Sequence, residues 1–215
     1  MKTGITITKG EFSGQSISRF DFLMKHYKSG NILDVGNIGG VYGGDASDSF
    51  HVTFSKTVPV TDTVYGFDLY KPKDSDKYKN QKQGDVQEGL PYEDHFFDTV
   101  YLGELIEHLD NPGLALSEVA RVLKEDGVFI LDTPNPYNFK RILKFVLFRK
   151  EDLGDPTHII FFTPASLKAL LKIHGFNITF LAEKNAGFMR FLPYFITRGL
   201  GDNLLVVAKV DRSNV

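Results

Sequence analysis

The sequence predicts an α/β fold with a doubly wound, mostly parallel sheet. Strand-like and helix-like patterns alternate along the chain, and the runs at 31–35 and 64–68 have the short pattern of buried strands. Such alternation is typical of a parallel sheet that is covered by helices on both faces. The first run leads directly into a glycine-rich turn, which lets backbone N–H groups approach a ligand closely. We therefore expect a ligand at the carboxyl ends of the strands.

The elements follow one another in a regular order. Residues 1–17 are polar and rich in Gly and Ser, which predicts an arm or a loose edge element. The remaining pattern predicts a helix at 18–27, strands at about 31–35, 64–68, 79–84 and 97–102, a helix at 112–124, a strand at about 128–132, a helical stretch at 139–150, a helix after Thr163-Pro164, and two β-rich segments at about 177–182 and 203–210.

Two of these helices carry clear end signals. The helix at 112–124 has Asn111 in the N-cap position, Pro112 at its first turn and Gly127 just beyond it. The later helix starts at Pro164, and Gly175 ends its apolar pattern.

Composition narrows the function classes. The 215 residues predict one well-buried domain over 1–215. With 25 basic and 27 acidic residues the net charge is −2, so nucleic acid is not an expected partner. The chain has no cysteine, and its six histidines show no metal-ligand spacing, so we expect no metal. We see neither a leader pattern nor an apolar run of ~18 residues, and expect a cytoplasmic protein.

Three predicted strand ends carry a carboxylate. Asp34 precedes the first glycine of the turn, where it would repel a pyrophosphate and attract a cationic group. Asp68 ends the second strand and could accept hydrogen bonds from both ribose hydroxyls, and Asp85 follows the third strand, within reach of an adenine amino group.

This pattern resembles the class I S-adenosylmethionine-dependent methyltransferases, whose small-molecule branch (types 11 and 23) also shares the segments described below. The resemblance implies a Rossmann-like methyltransferase fold of seven strands with the last strand antiparallel, and S-adenosylmethionine as the cofactor. It divides the chain into an N-terminal arm and helix (1–30), a cofactor-binding core (31–132), substrate-side helices and loops (133–200) and C-terminal strands (177–210). The cofactor-binding residues that it implies are Asp34, Gly36, Asn37, Gly40, Asp68, Leu69, Asp85, Val86, Leu102, Gly103 and Glu104.

The glycine turn departs from the family pattern. Ile38 occupies the position of the middle glycine, and because Ile does not readily adopt a positive φ, the loop must bend elsewhere. Residues 41–49 form an inserted glycine-rich loop before the first crossover helix.

Two further segments resemble the same branch. Glu107 and His108 belong to its Glu-His-Leu segment, where we favour a structural role in capping or bracing the following helix. His158 lies in a His-x-x-Phe-Phe-Thr segment and is the candidate catalytic residue: it either takes a proton from a substrate hydroxyl or hydrogen-bonds a loop carbonyl.

Residues 139–150 are apolar on one side and carry five cations, and residues 188–198 are also apolar and basic. The first stretch either packs on the sheet with its cations in water or lies on a membrane or over a hydrophobic substrate, which would give a peripheral membrane contact. The turn at 133–138 contains two prolines, which either border the substrate entrance or simply stop the strand.

We therefore expect methyl transfer from S-adenosylmethionine to a small acceptor that is hydrophobic, lipid-like or sugar-like. A non-catalytic binding or scaffold protein with this fold is the alternative, because Ile38 and the 41–49 insertion depart from the pattern. An NAD-dependent oxidoreductase fits less well, because Asp34 and the missing Gly-x-Gly-x-x-Gly disfavour a pyrophosphate.

Overall fold

A computed structural model describes residues 17–38, 50–184 and 199–212. All eleven predicted segments become helices or strands, and ten of them have bounds within two residues of the expected ones. The helices are α1 (Arg19–His26), α2 (Phe50–Thr57), α3 (Pro112–Val122), α4 (Phe139–Phe148) and α5 (Pro164–Ile173). The strands are β1 (Asn31–Val35), β2 (Thr63–Asp68), β3 (Gln81–Gln83), β4 (Phe97–Gly103), β5 (Leu123–Pro134), β6 (Phe176–Lys184) and β7 (Asn203–Val210).

The strands form a seven-stranded sheet in the order β3-β2-β1-β4-β5-β7-β6. Strands β1 to β5 pair in parallel, and β7 lies antiparallel between β5 and β6. The expected doubly wound sheet with an antiparallel last strand is therefore confirmed. The carboxyl ends of β1 and β4 lie side by side, since Val35 pairs with Leu102.

Alternate residues of the central strands fill two cores on opposite faces of the sheet, as the two-residue repeat of a strand requires. Leu33 belongs to the core that α3 and α5 cover, with Leu116 and Leu167. Its neighbour Ile32 belongs to the other core, which α1 and α2 cover through Phe22 and Phe54.

The boundary between α3 and β5 differs from the prediction. The helix ends at Val122 and the chain enters β5 at Leu123, so Gly127 lies within the strand instead of ending the helix. The reason is tertiary: Leu123 is fully buried and pairs with Phe97 of β4, which overrides the local helical pattern. Asn111 is the N-cap residue, but its side chain makes no capping bond among the described residues.

Three predicted features fall outside the described residues: the arm at 1–16, the 41–49 insertion with Gly39 and Gly40, and the apolar, basic segment at 188–198. In the described part of the chain, no helix has both the length and the apolar character needed to cross a bilayer.

Candidate active site at the carboxyl edge of the sheet

The end of β1 brings Asp34 to a partner on α2 that the sequence did not reveal. The Asp34 carboxylate lies 2.9 Å from Nδ1 of His51, and both side chains are buried. The His51 ring stacks on Tyr78 at a centroid distance of 5.4 Å. The Asp34 carboxylate is therefore bonded to an imidazole of the protein itself.

The turn after β1 bends at Gly36, which has a φ of +76° that glycine adopts without strain. The Gly36 amide donates to the Phe67 carbonyl oxygen of β2 at 2.8 Å. Ile38, the unusual residue of the turn, does not appear among the described residues with positive φ. The turn therefore bends before the substituted position, as expected.

Asp68 joins the ends of β1 and β2. Its two carboxylate oxygens accept from the amides of Ile38 and Tyr70, each at 2.9 Å, and the residue is only 6% exposed. These bonds fix the orientation of a buried carboxylate at the carboxyl end of the strand. Its neighbour Leu69 is 54% exposed and borders the same edge.

Asn37 links the β1 turn to β3 through its side chain. Its amide exchanges two hydrogen bonds with the Gln81 amide, at 2.7 and 3.0 Å. A side chain at Gly66 would collide with this pair, which explains the glycine within β2. The Asn37 side chain therefore supports the loop.

The end of β3 presents Asp85 in a tight turn. Its carboxylate accepts from the backbone amide of Gln87 at 2.8 Å and is half-buried, whereas Val86 is buried. The predicted third carboxylate is therefore at the same sheet edge as Asp68, because β3 pairs in parallel with β2.

The end of β4 is the most constrained part of the edge. Leu102 is fully buried, and Glu104 has a φ of +50°, which is uncommon for a residue other than glycine. A Cβ at Gly103 would lie 2.7 Å from the guanidinium of Arg19. A strained backbone like that of Glu104 persists only where neighbouring groups hold it in place, and it is frequent at functional sites.

The neighbouring groups form a charge network that sequence reasoning missed. Arg19 of α1 lies 2.8 Å from the Asp132 carboxylate and 2.7 Å from the Glu104 carboxylate. The Tyr101 hydroxyl donates to Asp132 at 2.6 Å, and Asn203 of β7 donates to Glu104 at 2.8 Å. Helix α1 is thereby attached to the ends of β4, β5 and β7, directly beside the predicted cofactor edge.

The carboxyl group of Asp132 in this network has a strongly raised pKa. Burial, reinforced by the Glu104 carboxylate and opposed by Arg19, raises the pKa of Asp132 to about 6. Burial and the Asp132 carboxylate also raise the pKa of Tyr101, so the Tyr101 hydroxyl stays protonated and donates.

The Asp132 pKa predicts a pH-dependent stability. In the unfolded chain this carboxyl returns to a pKa of about 3.9, so between about pH 4 and 6 the folded state binds more protons than the unfolded state. The free energy of unfolding should therefore fall by roughly 3 kcal/mol as the pH rises through this window, and then level off. Urea unfolding of the wild type and of Asp132→Asn should show this difference, and parallel pH profiles would contradict it.

A second buried carboxyl group, that of Glu107 in the segment after β4, contacts Thr133, the residue after Asp132. Glu107 is fully buried, its carboxylate accepts from the Thr133 hydroxyl at 2.9 Å, and burial raises its pKa to about 8. Its carbonyl oxygen accepts from the amides of Ile159 and Ile160 at 3.0 and 3.2 Å. Glu107 therefore braces the loop that carries His158, and not the following helix as we expected.

His108 and His158 meet Glu107 at this loop. Nδ1 of His158 lies 2.8 Å from the Leu153 carbonyl oxygen, so the predicted bond to a loop carbonyl is present. Nε2 of His158 lies 3.8 Å from Glu107, and the His108 and His158 rings are 4.7 Å apart. His108 and His158, whose spacing in the sequence did not indicate a metal site, thus lie close together beside a carboxyl group.

Helix α4 leaves β5 with its apolar side chains in solvent. None of its ten residues, all of them described, is buried, and Phe145, Val146, Leu147 and Phe148 are 47%, 56%, 61% and 66% exposed. The alternative in which α4 packs on the sheet is therefore wrong for the described structure.

The turn before α4 is held by Asn135, whose side-chain amide donates to the carbonyl oxygens of Gly199 and Gly201.

Comparison with known proteins agrees with this architecture. A family model described as a methyltransferase domain matches residues 15–180. The chain is also similar to a demethylmenaquinone methyltransferase of Lactobacillus johnsonii, with 31% identity over an alignment of 122 positions, and the match covers 49% of this chain and 50% of the relative. The chain thus matches about half the length of that curated relative.

Solved structures share the fold at lower identity. A putative methyltransferase of Bacillus halodurans superposes with a TM-score of 0.61 at 20% identity, covering 91% of this chain and 100% of that one. An S-adenosylmethionine-dependent methyltransferase of Archaeoglobus fulgidus gives 0.60 at 20% identity, covering 88% and 92%. A Burkholderia thailandensis 1,6-didemethyltoxoflavin-N1-methyltransferase, solved with bound S-adenosylhomocysteine, gives 0.56 at 16% identity over 86% and 72%.

Proposed function

The chain belongs to the class I S-adenosylmethionine-dependent methyltransferases, and from this premise we propose that it methylates a small hydrophobic acceptor at a membrane surface. The assignment of a hydrophobic methyl acceptor rests on the solvent-exposed apolar helix α4, which follows β5 at the carboxyl edge of the sheet. The assignment of S-adenosylmethionine as the methyl donor rests on the carboxylates and glycines of the same edge.

For the donor we assign the residues of four strand ends. Asp68 has a fixed, buried carboxylate at the carboxyl end of β2, where the resemblance to the family places the acceptor of the two ribose hydroxyls. Asp85 and Val86 would border the adenine, and Leu102 to Glu104 would border the methionine part. Asp34 supports the turn through His51, so Gly36 and Asn37 would contribute mainly their backbone.

Bound S-adenosylmethionine supplies a methyl group on a positively charged sulfur, together with its own leaving group. The protein has chiefly to hold the donor and the acceptor in line, which can contribute ~7–11 kcal/mol in favourable cases. The network of Arg19, Asp132 and Glu104 would provide this rigidity, since it ties α1 to the strand ends where the two molecules would meet. A catalytic triad is not required for this reaction.

A proton acceptor is needed when the acceptor atom carries a proton. His158 is our candidate, and because its Nδ1 faces a carbonyl oxygen, the lone pair for accepting a proton lies on Nε2. The oxidoreductase alternative is not favoured, because the turn lacks the Gly-x-Gly-x-x-Gly pattern of a pyrophosphate site. A scaffold that keeps the fold without the donor site would bind no S-adenosylhomocysteine.

The acceptor class follows from the surface around α4. The exposed side chains of its apolar face are large, and the basic residues Lys140, Arg149 and Lys150 flank it. Arg141 stacks over Phe161 at 4.5 Å, which connects the helix to the segment that carries His158. A helix of this kind binds in the interface of a bilayer with anionic lipids, where a lipid-like acceptor is concentrated. The name of the Lactobacillus johnsonii relative, which gives a quinone as its substrate, is consistent with such an acceptor.

The membrane contact can be tested by exchanging apolar side chains for charged ones. Changing Leu147 and Phe148 together to Glu should weaken binding to phosphatidylglycerol vesicles at least tenfold, because each buried side chain contributes about 1.5–3 kcal/mol. Sedimentation with vesicles measures this. Ile173→Glu is the matched control, since Ile173 is an apolar residue that is 78% exposed on a different helix, α5. Equal loss in the control, or no binding by the wild type, would exclude the contact.

The transfer itself is tested with methyl-tritiated S-adenosylmethionine and membranes of the source cell. We expect label in the organic-soluble fraction, and less of it with the Leu147 and Phe148 variant than with Ile173→Glu. Label that stays in the aqueous small-molecule fraction in equal amounts for both variants would argue for a soluble acceptor instead.

A further inference from the structure

Three side chains with metal-ligating atoms converge beside the carboxyl ends of β4 and β5. One carboxylate oxygen of Glu107 and one ring nitrogen each of His108 and His158 lie within 4.8 Å of one another. Among residues 17–38, 50–184 and 199–212, this is the group of three His, Cys, Asp or Glu side chains that could hold an ion. The cluster lies next to the proposed active site, because Glu107 bonds to Thr133, the residue after Asp132.

Both imidazoles bond to a backbone carbonyl oxygen through Nδ1, and Nε2 of His158 faces Glu107. Nδ1 of His158 lies 2.8 Å from the Leu153 carbonyl oxygen, and Nδ1 of His108 lies 3.1 Å from the Thr157 carbonyl oxygen. A carbonyl oxygen only accepts, so in each ring these bonds assign the proton to Nδ1 and the lone pair to Nε2. Metal-binding histidines usually have this arrangement, with the second nitrogen donating to a backbone carbonyl.

Glu107 supplies the third ligand atom, and the surroundings of its carboxyl group are a second, independent observation. The residue is fully buried, and its Oε2 accepts from the Thr133 hydroxyl at 2.9 Å. Its Oε1 has no hydrogen-bond partner among the described residues and lies 3.8 Å from Nε2 of His158. A buried carboxyl oxygen without a partner is unfavourable, and this oxygen faces Nε2 of His158.

We propose that Glu107, His108 and His158 bind a divalent transition-metal ion, with zinc as the best match. Two imidazoles and one carboxylate form a known ligand set for zinc and for non-haem iron, and they leave at least one coordination position open. Zinc binds these atoms at ~2.0–2.2 Å, so the ligand atoms would move together from their present separations. The backbone bonds between Glu107 and the amides of Ile159 and Ile160 hold the two ligand-bearing segments together.

The role of the ion rests on the proposed function. An acceptor hydroxyl in the open position would lose its proton to water more readily, since a bound metal lowers the pKa of an oxygen ligand. The acceptor oxygen then forms a bond to the methyl carbon, the bond between that carbon and sulfur breaks, and sulfur keeps the electron pair. This role and the general-base role exclude each other for His158, because one Nε2 lone pair cannot serve both.

The site can be tested without any turnover. We would titrate the chelator-treated full chain with Co²⁺, following its visible absorption, and then displace Co²⁺ with Zn²⁺. We expect one ion per chain and at least tenfold weaker binding in His158→Gln and in Glu107→Gln. His174→Gln, which changes a histidine outside the cluster, should bind like the wild type, and circular dichroism would confirm that each variant is folded.

The possible outcomes separate this inference from the proposed function. Wild-type binding that His158→Gln and His108→Gln leave unchanged would overturn the site, as would no binding at all. If S-adenosylhomocysteine binds but Co²⁺ does not, only the metal inference fails. If Co²⁺ binds and His158→Gln weakens it, the metal site stands even where S-adenosylhomocysteine does not bind.

Discussion

Replacing Asp68 by alanine is expected to weaken S-adenosylhomocysteine binding at least hundredfold. The change removes the acceptor that we assign to both ribose hydroxyls, and charge-assisted hydrogen bonds contribute about 1.5–3 kcal/mol each. It also leaves the amides of Ile38 and Tyr70 without the carboxylate that orders the β1 turn. Isothermal titration calorimetry measures the affinity directly.

Two further variants make the Asp68 prediction specific. Asp68→Asn keeps one carbonyl oxygen as an acceptor, and it should bind with an affinity between those of the wild type and Asp68→Ala. Asp110→Asn changes an exposed acidic residue at the end of the segment after β4 and should leave the affinity unchanged. An unaltered affinity in Asp68→Ala would show that the ribose assignment is wrong.

Replacing Arg19 by leucine should lower the free energy of unfolding by about 3–5 kcal/mol at neutral pH. The change leaves the buried Asp132 carboxylate, 2.8 Å from the guanidinium in the wild type, without its cation. For a chain of this size each 1 kcal/mol lowers the melting temperature by roughly 2–4 °C, so a fall of about 6 °C or more is expected. Thermal and urea unfolding both measure this.

The Arg19 effect should be relieved by removing the uncompensated charge. Arg19→Leu combined with Asp132→Asn is expected to recover part of the lost stability, because the double variant buries no unpaired carboxylate. Lys77→Leu is the matched control: Lys77 forms an exposed ion pair with Asp74 at 3.1 Å, and such pairs contribute about 0–1 kcal/mol. An equal loss in Arg19→Leu and Lys77→Leu would mean that the buried network has no special energetic role.

The strand ends were predictable because their signals are local. Asp34 and Asp68 each come at the end of a short apolar run, whereas Asp85 follows a weaker, polar strand pattern, and parallel pairing brings such ends to one edge. The start of α5 was equally predictable, since Thr163 and Ser166 form a capping box within four residues.

The partners of these residues were not predictable from local pattern. Arg19 and Glu104 are 85 positions apart, and their ion pair depends on α1 folding back over the ends of β4 and β5. His51 follows the 41–49 insertion, so nothing in the turn itself indicates that it reaches Asp34. His108 and His158 likewise meet only because the loop at 155–160 bonds to the Glu107 carbonyl. The missed residues are all joined by long-range contacts.

The exposure of the apolar face of α4 could not be predicted from the sequence for a different reason. A helical repeat with apolar and basic sides predicts an amphipathic helix, but it does not state whether the apolar side meets the sheet or solvent. The structure decides this for the described residues, because Leu147 and Phe148 remain mostly exposed.

The central claim is that the carboxyl edge of the sheet binds a nucleoside joined through sulfur to an amino acid and excludes a nucleotide that carries a pyrophosphate. Calorimetric titration of the full chain with S-adenosylhomocysteine and, separately, with NAD⁺ tests it most directly. We predict saturable, one-to-one binding of S-adenosylhomocysteine and no heat of binding with NAD⁺. Binding of NAD⁺ in preference would contradict the claim, and a chain that binds neither ligand would be a scaffold that keeps the fold without the donor site.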